Sequence, residues 1–214
     1  MGKLSRGFLG GFQGQLGTAY GCFWRMMDLI KAMPRKSNRP PTSKQLDVQA
    51  KFTLMAGWLG AIGNLIKFAY FNKKSNQSAM NAAVAYNIEN AITGVAPNYT
   101  IDYAKVLLST GALEEPYHLG ISTDEDAEIE FNWELHPAGT INSNPTDKLS
   151  FVIYNPAKQK FVMLLNVVNR SALTYAVALP VEFSGDNVHP YVVVVNEERT
   201  LACKTKYAGA TVVQ

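Results

Sequence analysis

The sequence predicts an α+β chain: a glycine-rich N-terminal arm and a short helical segment, followed by an antiparallel β-sandwich. Three observations carry this reading. Glycine recurs at 7, 10, 11, 14, 17 and 21. Apolar residues follow one another at steps of three and four between Val48 and Ala69. After Pro97, short runs rich in Val, Ile, Tyr and Phe alternate with turn residues. The parts divide at 1–41, 42–96 and 97–214. Hydrophobic residues at 47% and charged residues at 17% supply ample material for a core and exclude a disordered chain.

In the arm, Phe8, Leu9, Phe12, Leu16, Tyr20 and Phe23 interleave with the glycines. Glycine disfavours a helix interior but permits close backbone approach. The pattern predicts an irregular hairpin in which 15–23 pairs with 26–31. Two strands bury too little surface to stand alone, so the arm is expected to dock on the body or on a neighbouring subunit. Residues 34–41, which hold three prolines, read as an extended linker.

Thr42 or Ser43 suits a helix N-cap. Val48, Phe52, Met55, Leu59, Ile62, Ile66 and Ala69 then form one helical stripe. The uncharged run 52–66 lies between Lys51 and Lys67 and falls short of the ~20 residues that cross a bilayer. With Gly57, Gly60 and Gly63 inside it, the run reads as a buried helix broken near Gly60, with no membrane span. A second helix is expected over 77–92, capped by Ser75 or Ser78, with Gly94 as its C′ glycine. Ala79, Ala82, Ala83 and Ala85 give it a surface suited to close packing.

Seven strands are expected at 99–108, 127–135, 148–154, 160–168, 173–179, 188–195 and 200–207, with turns at 155–158 and 184–187. Trp133 on an early strand would place an indole between sheets. Tyr191 follows Leu179-Pro180 and begins an alternating run with Val193 and Val195, the pattern of a tyrosine corner whose hydroxyl is tied to upstream backbone. These landmarks favour an immunoglobulin or fibronectin type III-like sandwich over a jelly roll or another two-sheet fold.

Charge is unevenly placed. Residues 1–44 hold eight basic side chains against Asp28, a balance of +7 in a chain of net +3, so the other 170 residues carry −4. Lys3, Arg6, Arg25, Lys31, Arg35, Lys36 and Arg39, with Phe8 and Phe12, are the candidate contact residues of the arm. Glu114, Glu115, Asp124, Glu125, Asp126 and Glu128 form a candidate acidic receptor, in a stretch that continues through Glu130 and Glu134 without a Lys or Arg.

Motifs for chemistry are missing. There is no GxSxG, and His118, His136 and His189 are scattered among turns and prolines. Cys22 and Cys203 lack the spacing of a zinc site or a disulfide framework and read as small buried hydrophobes. The acids at 124–128 lack the ordered calcium loop, and GGFQGQLG lacks both GK[ST] and GxGxxG. The expectation is therefore no catalytic residue, no metal and no cofactor. Residues 8–13 are too short and glycine-broken for a secretory h-region, which makes the expected address the cytoplasm, or a virion if the chain is phage-derived.

The segments MGKLSRGFLGGFQGQLGTAYGCFW, RPPTSKQLDVQAKF, SAMNAAVAYNIENAITG, YTIDYAKVLLSTG, DKLSFVIYNPAKQ and LPVEFSGDNVHPYV, with KYAG near the end, resemble a Bacteroidota family classed as a domain of unknown function. The resemblance covers nearly the full length and departs at Cys22 and Phe23, where small residues are usual. It implies an N-terminal arm, a helical middle and a β-rich C-terminal half, and it implies no activity. The expected function is thus a non-catalytic structural or interaction protein. It would be a self-assembling subunit, of a prophage-derived or virion-like assembly, that uses its arm to dock on copies of itself or on other protein subunits. The alternative is a nucleic-acid-binding protein, since the arm combines cations for phosphates with aromatics for bases.

Overall fold

The helical stripe forms, and it breaks where glycine interrupts it. In the computed structural model, residues 2–4, 11–24, 26–34, 39–123, 125, 127–138 and 140–214 are described. Two compact units divide the chain, Met1–Thr42 and Ser43–Gln214. The sequence reading divides it at 41 and again at 96; in the structure the helices share a core with the sheet beside them.

Within the first unit, β1 (Gly2–Leu4), β2 (Gly14–Leu16), β3 (Ala19–Trp24) and β4 (Met27–Ala32) make an antiparallel sheet of order β1-β4-β3-β2. The expected hairpin is the β3–β4 pair, Trp24 opposite Met27 and Ala19 opposite Ala32. Its N-terminal part turns back earlier: Gly14–Leu16 pairs with 19–21 across a turn in which Gly17 takes a φ of +57°.

The second unit opens with α1 (Ser43–Gly60) and α2 (Gly63–Ala69), bent 85° from one another. No described helix is by itself long and apolar enough to cross a membrane, although the bent pair passes that test on composition. Met55, Leu59, Ile62, Leu65, Ile66 and Ala69 are fully buried, whereas Val48 and Phe52, from the same stripe, stay exposed. The first turns of α1 run past the core. There Asp47 accepts the Tyr99 hydroxyl, and Lys51 lies over the Tyr99 ring at 4.8 Å.

α3 (Ala79–Asn90) is capped by Ser78, whose hydroxyl accepts the Asn81 N–H at 3.2 Å. It ends before the glycine expected to terminate it. Gly94, at φ +93°, lies instead in a hairpin of β5 (Ile92–Val95) and β6 (Asn98–Ile101), where a Cβ would stand 2.4 Å from the Asn98 carbonyl oxygen. The run 99–108 is therefore no sandwich strand. Its start pairs back into this hairpin, and Tyr103–Lys105 is a 3-10 turn.

The sandwich begins with a strand that the sequence reading passes over, β7 (Tyr117–Ser122). It continues with β8 (Glu128–Glu134), β9 (Lys148–Asn155), β10 (Lys160–Asn169), β11 (Thr174–Ala178), β12 (Asn187–Val195), β13 (Lys206–Tyr207) and β14 (Thr211–Val212). One sheet has the order β11-β8-β7 and the other β10-β9-β12-β13, with β14 pairing the start of β12. Ile129, Phe131 and Trp133 of β8 pack on Leu149, Phe151 and Ile153 of β9 and on Val192 and Val194 of β12. This is an immunoglobulin/fibronectin type III-like sandwich.

Its larger sheet is covered on both faces. Val152 and Tyr154 of β9, with Tyr191, Val193 and Val195 of β12, face a second core that contains α1, α2 and α3. The central strands consequently read as continuous apolar runs, as doubly buried strands do. Trp133 lies between the sheets as expected, and its indole N–H donates to the Arg170 carbonyl at 2.7 Å. Tyr191 differs from a tyrosine corner. Its hydroxyl donates to the Tyr103 carbonyl at 2.8 Å, on the helical side of the sheet.

A buried cation ties three segments of the sandwich unit. The Arg170 guanidinium, 1% exposed, lies 3.5 Å from the equally buried Asp147 carboxylate. It also donates to Ser143 Oγ at 2.9 Å and to the Glu114 carbonyl at 2.8 Å.

Candidate functional site

The arm sheet presents apolar side chains that its own strands cannot cover. Strand pairing sets Tyr20 beside Lys31, and Cys22 beside Leu29, on one face. Phe23, Ile30 and Leu16 share the other. Phe12 lies against Gly21, where a Cβ would come within 2.6 Å of the ring, so a glycine there admits the aromatic. Leu29 is the one large hydrophobic fully buried among the described residues of this unit. Leu16 is 67% exposed and Met26 85%, and Tyr20, Phe23 and Met33 are also exposed. Lys31 and Arg39 lie at the surface. Lys3 stands in β1, with its side chain outside the description. Arg6, Phe8, Arg25, Arg35 and Lys36 lie outside the described residues, as do Asp124 and Asp126 of the acidic stretch.

The remaining acids do not form one patch. Alternation along β8 turns Glu128, Glu130, Asn132 and Glu134 outward while Ile129, Phe131 and Trp133 turn in. At ~3.3 Å per residue this stripe runs about 20 Å. Small neighbours flank it, Gly120 and Ser122 on β7 and Ala176 and Ala178 on β11. Thr174 donates to Glu130 at 2.8 Å. Glu125 precedes the strand. Glu115 is paired with Lys206 at 3.2 Å, and the Glu114 carbonyl serves Arg170. The continuous acidic element is thus the β8 stripe, with Glu114 and Glu115 set apart in the lead-in to β7.

Two of the three histidines do meet at a cleft. His118, His136, Glu114, Glu115 and Lys206 line a surface hollow of ≈ 520 Å³. His118 Nδ1 is 3.1 Å from Glu134, both side chains being more than 60% exposed. His136 Nε2 meets the Glu115 carbonyl at 2.8 Å. Among the described residues, no serine, threonine or cysteine lines this hollow. His189 pairs with the Tyr207 hydroxyl at 2.8 Å, and burial lowers its pKa below 6.5. Cys203 is fully buried, which pushes its thiol up to about 12 and leaves it unreactive. Cys22 is half-buried rather than buried. Among the described residues, no group of three His, Cys, Asp or Glu side chains could hold a metal ion.

The model of the family of unknown function DUF6266 matches residues 11–209, and the chain belongs to that family. No curated protein matches it. Among solved structures, the chain is similar to the chicken CNTN1 FN1–FN3 domains over 50% of its own length and 34% of theirs, at 11% identity and a TM-score of 0.33. It thus spans about a third of that chicken chain. It is also similar to the fn3 domain of the human collagen alpha-1(XX) chain, over 49% of its own length and 89% of that domain, at 11% identity and a TM-score of 0.31.

Proposed function

We propose that this chain is a non-catalytic structural subunit that assembles with copies of itself through its N-terminal unit. The carrying observation is the mismatch within Met1–Thr42: a four-stranded sheet with, among its described residues, one fully buried large hydrophobic and several exposed ones. Chains of ~40 residues rarely bury enough surface to be stable unaided. Exposed aromatic and aliphatic side chains on a sheet are typical of surfaces completed by a partner.

Charge supports the same partner. The first unit carries seven basic residues and one acid, a balance of +6, which leaves −3 on the second. The β8 stripe, with small residues on both sides, offers an acidic surface that a basic sheet can approach. A place in a prophage-derived or virion-like particle, a Bacteroidota source and a cytoplasmic address belong to this same reading. The lack of a serine, threonine or cysteine beside His118 and His136 among the described residues supports a non-catalytic role. Replacing Leu16 and Phe23 with serine is expected to shift the sedimentation coefficient toward the monomer value, with the thermal transition of the second unit unchanged. An unshifted sedimentation profile would count against assembly through this sheet.

The cross-strand pair of Tyr20 and Lys31 sets a cation beside an exposed aromatic ring, which favours nucleic acid as the second reading. That reading expects the anisotropy of a labelled single-stranded oligonucleotide to rise at low salt and to collapse at physiological salt. No rise at low salt removes it.

A further inference from the structure

Lysines of the second unit gather at a cleft that contains no acid. The chain leaving α2 is fixed there by hydrogen bonds. Thr110 N–H donates to the Ala69 carbonyl at 3.1 Å, Phe71 N–H to the Thr110 carbonyl at 3.0 Å, and Asn72 N–H to Thr110 Oγ1 at 2.9 Å. Gly111 lets this segment pass Ala202, whose carbonyl oxygen a Cβ would meet at 2.2 Å. Between the 70–77 segment, α3 and the 107–111 segment lies a cleft of ≈ 660 Å³. Lys73, Lys74 and Lys204 line it, and none of the three is ion-paired among the described residues.

The neighbouring cleft shows the contrast. It shares Tyr86, Leu107 and Lys204 with the first, but its other lysines are neutralised, Lys105 by Asp102 at 2.9 Å and Lys206 by Glu115 at 3.2 Å. Three cations without an ion pair around one hollow, in a unit of net charge −3, form a local positive field.

A second, independent feature lies deeper. Tyr70 lines the same cleft, although its residue is only 4% exposed. Its hydroxyl has no hydrogen-bond partner among the described residues, yet it is not sealed among the buried polar atoms that lack one. A buried ring whose hydroxyl reaches the cleft and finds no acceptor in the protein can donate there to a ligand in place of solvent. Burial, reinforced by Tyr86, pushes the Tyr70 pKa up to about 12, so the hydroxyl keeps its proton at neutral pH. The apolar part of the lining comes from Ala82, Ala85 and Leu107 with the Tyr86 ring.

We propose that this cleft binds a small organic anion. The anionic head takes the Tyr70 hydroxyl and the ammonium groups of Lys73, Lys74 and Lys204, and a flat apolar body lies over Ala82, Ala85 and Tyr86. The head is a phosphate or a carboxylate, since lysine acts as a point charge and imposes no planar fork. The volume suits a ligand of drug or metabolite size. The inference is independent of the assembly reading, because every residue it uses lies in Ser43–Gln214.

Calorimetric titration of the intact chain with phenyl phosphate, benzoate, inorganic phosphate and phenol tests it. Phenyl phosphate or benzoate should bind saturably at one site, more tightly than phenol or inorganic phosphate alone, and should weaken as salt rises. Whichever of the two binds more tightly identifies the head. Tyr70→Phe keeps the buried ring and should weaken binding about tenfold, the loss of one hydrogen bond to a charged group. Lys204→Gln, at the surface, should weaken it several-fold and flatten the salt dependence. No saturable binding of either aromatic anion, phenol binding as tightly as they do, or affinity unmoved by both substitutions would each overturn the proposal.

Discussion

The two largest sheets among the described residues are held in opposite ways. The five-stranded sheet of the sandwich sits between two hydrophobic cores, and β12 buries Tyr191 and four consecutive valines, Val192 to Val195, on its two faces. The four-stranded sheet of the arm has a comparable ladder, yet Gly21 is the only residue of β3 that is fully buried. Backbone hydrogen bonds exchange partners with water and contribute little net stability, so what separates the sheets is apolar area removed from solvent. The sandwich supplies its own cover. The arm has to find it.

The largest break in this contrast comes from Arg170. Replacing it with alanine leaves Asp147 buried without its cation and also removes the links to Ser143 and Glu114. The expected loss is about 3–5 kcal/mol, read as a lower urea midpoint for the second unit. Leu29→Ala in the arm, although it removes a buried side chain, should leave that midpoint in place. An equal drop from both would show that the two units unfold as one.

Asn87 gives a smaller effect of the same kind. Fully buried on α3, it donates to the Leu107 carbonyl at 2.8 Å and accepts the Leu107 N–H at 2.8 Å. Asn87→Ala strands both backbone groups and should cost about 2–3 kcal/mol by chemical denaturation. A cost near zero would mean that water replaces the side chain and that the helical layer is less dry than its packing implies.

The smallest effect is on pH dependence. Burial lowers the folded-state pKa of His189 below its unfolded value of 6.5. The unfolded chain therefore takes up the proton first. The neutral ring causes no loss above pH 6.5, and stability falls as pH drops from there toward the folded pKa. His189→Gln should flatten the stability profile across that window. The Tyr207 hydroxyl at Nδ1 and the Tyr103 ring 4.4 Å away face this imidazole and are neutral throughout.

Much of the sandwich was legible because β8 keeps period two and β9 and β12 are short apolar runs bounded by turns. What escaped has identifiable causes. β7 carries a positive φ at His118 and an irregular register between Tyr117 and Gly120, so its alternation is broken. The 99–108 run has strand composition, but its tyrosines serve the helical side. Period cannot tell which partner buries a face, so Val48 and Phe52 read as core until α1 is seen to overrun it. The acidic stretch was visible as composition, whereas its resolution into a β8 stripe needed the strand's orientation. The lysine cleft was invisible, because Lys204 meets Lys73 and Lys74 only after the fold brings two distant segments together.

The most direct test of assembly is the mass of the intact chain against that of a chain lacking residues 1–39, by light scattering at matched concentration. A multimer that falls to monomers while the second unit stays folded is the predicted result. An intact chain already monomeric, or a truncated one that keeps the full multimeric mass, would contradict the account.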